Sequence, residues 1–267
     1  MREVAAADSA RQAPTAPGPD APDSTAAAGA GREGGVVEAQ VDWRLPAETL
    51  EVRRLNAWCA AVGPAVLGGW AEPTAGEAEV DTLRVVSWNA HAGGGHLREL
   101  VEDLRAGRLT GGGPVEHFVL LIQEAYREGE AVPGYDPGLP GGSAVDAAPV
   151  GRDREDIVRD AEALGLSLFY APSMRSGTGE DRGNAILATL PLTDPVAIEL
   201  PVARQRRVAV GATVSARTAD GRPWQVQVAS VHLENDAAGW VRDEEARRDQ
   251  GEALLAALPE ARAAIAG

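Results

Sequence analysis

Four polar residues stand where the chain enters or leaves an apolar run. Asn89 follows Val85-Val86-Ser87-Trp88, Glu124 follows Leu120-Leu121-Ile122-Gln123, Asn184 precedes Ala185-Ile186-Leu187, and His232 follows Val228-Ala229-Ser230-Val231. A carboxylate is the hard oxygen donor that Mg²⁺ selects, while amides and imidazoles supply hydrogen bonds to an anion. A polar residue at one strand end is ordinarily just solvated. Recurrence on several core strands sets these four apart, because ligand sites tend to form at one rim of a sheet. Together they suggest a ligand site.

Other polar residues read more plainly. His91, His96 and His117 fit structural or solvated positions. Arg204, Arg206 and Arg207 read as a solvated strand edge, with a phosphate patch as the other reading. Tyr126 and Arg127, just past Glu124, stand where substrate contacts would fall. The single cysteine, Cys59, excludes an intrachain disulfide and any Cys-based zinc site. Its apolar neighbours suggest a buried, inert thiol.

The elements that would position these residues follow from periodicity and turn chemistry. Strands are expected at 83–88, 117–122, 167–170, 185–189, 208–214 and 224–231. Helices are expected at 46–62, 96–105, 153–164 and 240–258. The run 117–122 is almost wholly apolar, as in a central strand covered on both faces. Asp220-Gly221 marks a hairpin between the last two strands. Residues 129–152 form a Pro/Gly loop long enough to be a functional lip. Residues 1–35 hold almost no large apolar side chain and read as a disordered tail. Residues 36–79 read as a helical extension and linker, and 80–267 as the main domain.

The matching stretches are Arg84-Val85-Val86-Ser87-Trp88-Asn89, Leu120-Leu121-Ile122-Gln123-Glu124, Gly183-Asn184-Ala185-Ile186-Leu187 and Ser230-Val231-His232-Leu233. In that order they resemble the endonuclease/exonuclease/phosphatase family, over about residue 82 to the C-terminus. The resemblance implies an α/β four-layer sandwich, two packed β-sheets flanked by helices. It implies metal-dependent phosphoester hydrolysis with Mg²⁺ or Mn²⁺. Glu124 would be the metal ligand, Asn89 would help hold the metal site or the phosphate through its amide and act in catalysis, and Asn184 and His232 would bind the scissile phosphate. His232 would also donate to the charge that develops in the transition state.

The family's later Gly-Asp-Phe-Asn-like and Ser-Asp-His segments do not occur in this sequence. The resemblance therefore implies a domain lacking its C-terminal strands, and a chain inactive or impaired by itself. The alternatives are a non-catalytic phosphate-binding or regulatory protein, or one half of an enzyme completed by a C-terminal segment elsewhere.

Composition narrows the substrate. The formal charge is −15, and every one of the 25 basic residues is arginine. Such a surface repels long nucleic acid, whose binding relies on basic neutralisation of phosphates. A small phosphoester or a lipid headgroup is favoured instead. No run approaches the roughly 18 apolar residues of a membrane span. No apolar signal region follows Arg2, so a cytoplasmic location is expected by default.

Overall fold

The computed structural model describes residues 41–45, 55–71, 77–134, 154–234 and 241–258, with the backbone of two short strands at 36–37 and 265–266. The expected tail 1–35 lies outside the described residues.

The described residues build two sheets. One runs β1(Val36–Val37), β3(Val66–Gly68), β6(Ser167–Gly177), β7(Glu180–Ala188), β5(Phe118–Glu128), β4(Arg84–Asn89). The other runs β11(Ile265–Ala266), β10(Pro223–Val231), β9(Val208–Arg217), β8(Leu192–Glu199), β2(Asp42–Arg44). β4 lies parallel to β5, whereas β5, β6 and β7 alternate in direction, so the first sheet is mixed.

Strand alternation divides the apolar residues into layers. On β5, Phe118, Leu120 and Ile122 join α1(Leu97–Arg105) and α2(Ile157–Leu164) in an outer cluster. Val119 and Leu121 turn the other way, meeting Ile186, Val210 and Val214 between the sheets. A third cluster lies beyond the second sheet, where Val196, Ala209 and Val231 pack against Leu254 and Leu258. Those two leucines come from and follow α3(Val241–Ala257). Helices, sheet, sheet and helix make the four layers of an α/β sandwich.

The local signals explain the helices. α1 buries Leu97, Leu100, Val101 and Leu104, the i, i+3, i+4, i+7 stripe of an amphipathic helix. α2 starts at Asp156, whose carboxylate accepts from the backbone N–H of Val158 and Arg159. Of the expected helix 46–62, residues 55–59 are helical and 46–54 lie outside the described residues. The expected lip is described only over 129–134. No helix among the described residues is long and apolar enough to cross a membrane.

Several expectations change. The segment 36–79 is no mere extension, because it contributes β2 to one sheet and β3 to the other. β8, between 189 and 208, was not expected. Its Pro195 sits in a register shift between Thr193 and Val196, beside Asp194 at φ +50°, where no ladder N–H is required. β5, β6 and β7 are longer than their apolar runs, so Glu124 and Asn184 lie inside strands rather than at their ends. Cys59 is an exposed residue, not a buried one, with Sγ 3.9 Å from Glu199 Oε1. Desolvation raises its thiol above the ordinary range, with Glu199 adding to the rise and Arg206 opposing it.

Candidate functional site

The strand irregularities create the site. On β5 the pairing with β7 passes from Ile122↔Ala185 to Ala125↔Gly183, so Gln123 and Glu124 together oppose Asn184. This is a β-bulge, and Glu124 takes φ +51° within it. The extra residue re-aims the carboxylate out of the ladder. Gln123 stays buried and ties the sheets together: its Nε2 donates to Leu121 O at 3.0 Å and to Ser230 Oγ at 3.4 Å. Ser230 Oγ in turn donates to Ile122 O at 2.9 Å. These bonds bring the end of β10, and so His232, next to the bulge.

Across the bulge, Gly183 lets strands approach closely. A Cβ there would meet Ala171 O at 2.0 Å and Pro172 Cα at 2.7 Å. Asn184 follows on the opposite face of β7, the face that looks toward the second sheet. Its Nδ2 donates to Val208 O at 2.6 Å, while Oδ1 is buried without a hydrogen-bond partner.

Glu124, Asn184 and His232 border one cleft of about 340 Å³, together with Arg182, Arg204, Arg207 and Glu234 among others. His232 Nδ1 lies 3.6 Å from Glu124 Oε1 and makes no hydrogen bond. Burial holds the imidazole below the ordinary histidine range; Arg207 and Arg182 push the same way, while Glu124 and Glu234 oppose them. At neutral pH it is therefore the uncharged form that faces the carboxylate.

Asn89 adjoins this group from β4. Its Nδ2 donates to Glu124 Oε1 at 3.4 Å, and its Oδ1 accepts from His91 N at 2.8 Å. The second bond is an Asx-type turn, so the side chain serves the turn and the carboxylate together.

The expected substrate contacts just past Glu124 are not at the cleft. Tyr126 is 2% exposed, and its OH donates to Glu128 Oε2 at 3.1 Å. Arg127 is buried too, donating from Nε to Asp181 Oδ1 at 3.0 Å and from Nη1 to Pro64 O at 2.7 Å. For Arg127 the bulge is the physical reason: it sets Arg127 opposite Asp181, on the face away from Asn184. The arginines 204–207 also divide. Arg206, read as a solvated edge, is 1% exposed and ion-paired with Glu199 beneath the carbonyls of Pro172 and Ser173. Arg207 is buried at the cleft wall, with Nη2 at 3.4 Å from Glu234 Oε1. His91, His96 and His117 stay outside the cleft.

Sequence reasoning missed Arg182 and Glu234. The signal for Arg182 was its position two residues before Asn184, which puts both on one strand face. Glu234 carries no comparable signal. Its carboxylate accepts from Arg204 N at 3.1 Å, and its own N–H donates to Gln250 Oε1 of α3 at 2.8 Å.

As for a cation, no cluster of three or more His, Cys, Asp or Glu side chains suited to a metal occurs among the described residues. Glu124 nonetheless presents a part-exposed carboxylate to the cleft. One such carboxylate, completed by waters and substrate phosphate oxygens, is a recognised mode for Mg²⁺. The donors present fit that sparse mode.

No protein-family model matches the chain, and no curated protein matches it. Among solved structures, an endonuclease/exonuclease/phosphatase family protein from Leptotrichia buccalis C-1013-b aligns at 14% identity and a TM-score of 0.37. The match covers 69% of this chain and 66% of that one. The chemistry of the cleft rests on its own geometry.

Proposed function

We propose that the cleft binds and hydrolyses a phosphoester with a divalent cation, Mg²⁺ or Mn²⁺, at Glu124. The observation that carries this is the bulge, which aims one carboxylate into an arginine-walled cleft beside the His232 imidazole. A bound cation would polarise a phosphoryl oxygen and acidify a water.

The chain's own residues supply binding and orientation. Asn89 holds Glu124 Oε1 from one side and is a positioning residue. Asn184 gives one amide hydrogen to Val208 O and keeps the second for a phosphate oxygen. His232, uncharged, donates a hydrogen bond to the oxygen that gains charge. Arg207 and Arg182 neutralise the substrate's negative charge. Burial holds Arg207 below the usual guanidinium range, with Arg182 adding and Glu234 opposing.

The same inventory makes turnover slow. Glu124 and Glu234 are the carboxylates at the cleft among the described residues, and Glu234 is buried against Arg207. The attacking water has no dedicated base, a deficit of about 10²–10⁴-fold. The net charge of −15 favours a small phosphoester or headgroup over long nucleic acid.

A second reading, phosphate binding without turnover, is favoured by the arginine wall itself, which can hold a phosphate with no cation. Hydrolysis of bis-p-nitrophenyl phosphate separates the two. Slow Mg²⁺- or Mn²⁺-dependent release of nitrophenolate is expected, lost in Glu124→Ala. Metal-independent turnover, or turnover unchanged by the substitution, would sink the hydrolase reading. Phosphate affinity that survives Glu124→Ala, with no turnover from either protein, would favour the binding reading.

A further inference from the structure

The cleft carries more positive charge than one phosphodiester requires. Arg182 and Asn184 lie two residues apart on β7 and share its inner face. Arg207 reaches the same cleft from just before β9 on the other sheet. With Arg204 at the wall, three arginines face two glutamates in a chain whose net charge is −15.

The two inner guanidiniums are poorly matched by protein. Arg182 Nη2 donates to the Met174 thioether at 3.2 Å, a weak acceptor, and no carboxylate among the described residues pairs with it. Arg207 is 5% exposed, yet its Nε has no hydrogen-bond partner, and Glu234 stands off at 3.4 Å. Two like charges held together with unspent donors are costly unless an anion completes them. Glu124, Asn184 and His232 already account for the scissile phosphate in the reading above.

We propose that Arg182 and Arg207 form a second anionic subsite, so that the ligand is a small molecule or headgroup carrying two neighbouring phosphates. The subsite rests on reading the cleft as a phosphoester site. A cleft of about 340 Å³ suits a compact ligand of that kind.

Calorimetric titration of the full chain at neutral pH, without divalent metal, tests the subsite apart from catalysis. Inorganic pyrophosphate is expected to bind at least about tenfold more tightly than inorganic phosphate. Arg182→Gln should shrink that preference to within about threefold, and Arg182→Lys should restore part of it by returning the charge without the planar fork. Arg182 is partly exposed, so these variants leave the buried pairs untouched. Equal affinity for the two anions in the wild type, or a preference that Arg182→Gln leaves intact, would overturn the subsite.

The titrations fail separately from the hydrolase reading. Metal-dependent hydrolysis lost in Glu124→Ala, with no pyrophosphate preference, removes the subsite and leaves the enzyme. A pyrophosphate preference with no hydrolysis keeps the subsite and removes the enzyme. Sedimentation with phosphatidylcholine vesicles containing diacylglycerol pyrophosphate then assigns the source. Retention on these and not on plain phosphatidylcholine supports a membrane-borne diphosphate, and no retention on either supports a soluble one.

Discussion

Arg127 and Arg207 are both buried arginines next to a carboxylate, but their surroundings differ. Around Arg127 every partner is in place: Asp181 receives its guanidinium and also accepts from Gly63 N at 2.9 Å and Tyr170 OH at 2.8 Å. The Arg127 guanidinium also lies over the Tyr170 ring at 4.9 Å. At the cleft, Arg207 meets Glu234 at 3.4 Å and leaves Nε unpartnered. A fully satisfied buried network rigidifies, whereas a partly satisfied one carries a standing penalty. The first is a structural rivet joining residues 63–64 to the first sheet. The second is the charge that the proposed subsite would pair with a ligand.

Breaking the rivet should have the largest effect. Asp181→Asn would leave Arg127 buried with no counter-charge, a loss of about 3–5 kcal/mol. Urea unfolding followed by far-ultraviolet circular dichroism would read it as a lower midpoint with the slope retained. A loss under 1 kcal/mol would mean that Arg127 can escape to water, and the contrast would collapse.

Asp160 offers an intermediate case. Its Oδ1 accepts from Arg98 Nε at 2.6 Å, while Oδ2 is buried with no partner. Desolvation outweighs Arg98 and pushes the carboxyl up to about 6. The folded state therefore binds this proton more tightly than the unfolded chain does. Its contribution is full below the unfolded carboxylate range and is lost as pH rises through about 6. The change is on the order of 2–3 kcal/mol. From pH 4 to pH 7 the unfolding midpoint of the wild type should fall relative to that of Asp160→Asn; parallel profiles would remove Asp160 as the cause.

The smallest effect is expected at the cleft. Glu234→Gln removes the charge opposite Arg207, but the contact is single and long at 3.4 Å, so the loss should be about 1 kcal/mol. Calorimetry should show phosphate binding strengthened, because the ligand no longer competes with Glu234. A loss as large as that of Asp181→Asn would make Arg207 a second rivet, and weaker phosphate binding would remove it from the site.

The elements closest to their local signals were legible in the sequence. The apolar run from Phe118 to Ile122 is a central strand, with all five residues at most 2% exposed. The α1 stripe and the hairpin at Asp220-Gly221, with Gly221 at φ +81°, also follow from local chemistry. β8 carries no clean strand signal because Pro191 and Pro195 interrupt its run, and the bulge at Asp194 makes the second one compatible with a ladder. Burial of Arg206 was equally hidden, since its partner Glu199 lies on a strand that the sequence does not announce.

For the site, residue types and strand placement singled out Asn89, Glu124, Asn184 and His232, and the fold brings Glu124, Asn184 and His232 to one cleft with Asn89 bonded to Glu124. Those choices rest on side-chain chemistry and alternation, which are local properties. The role of Arg127 turned instead on a one-residue bulge, and Arg182, Arg207 and Glu234 became cleft residues only when the two sheets packed. A bulge reverses the facing of the residues after it, and pairing across sheets joins residues far apart in the chain. Neither is written in a local pattern, so the tertiary structure alone decided which charges are rivets and which are open to a ligand.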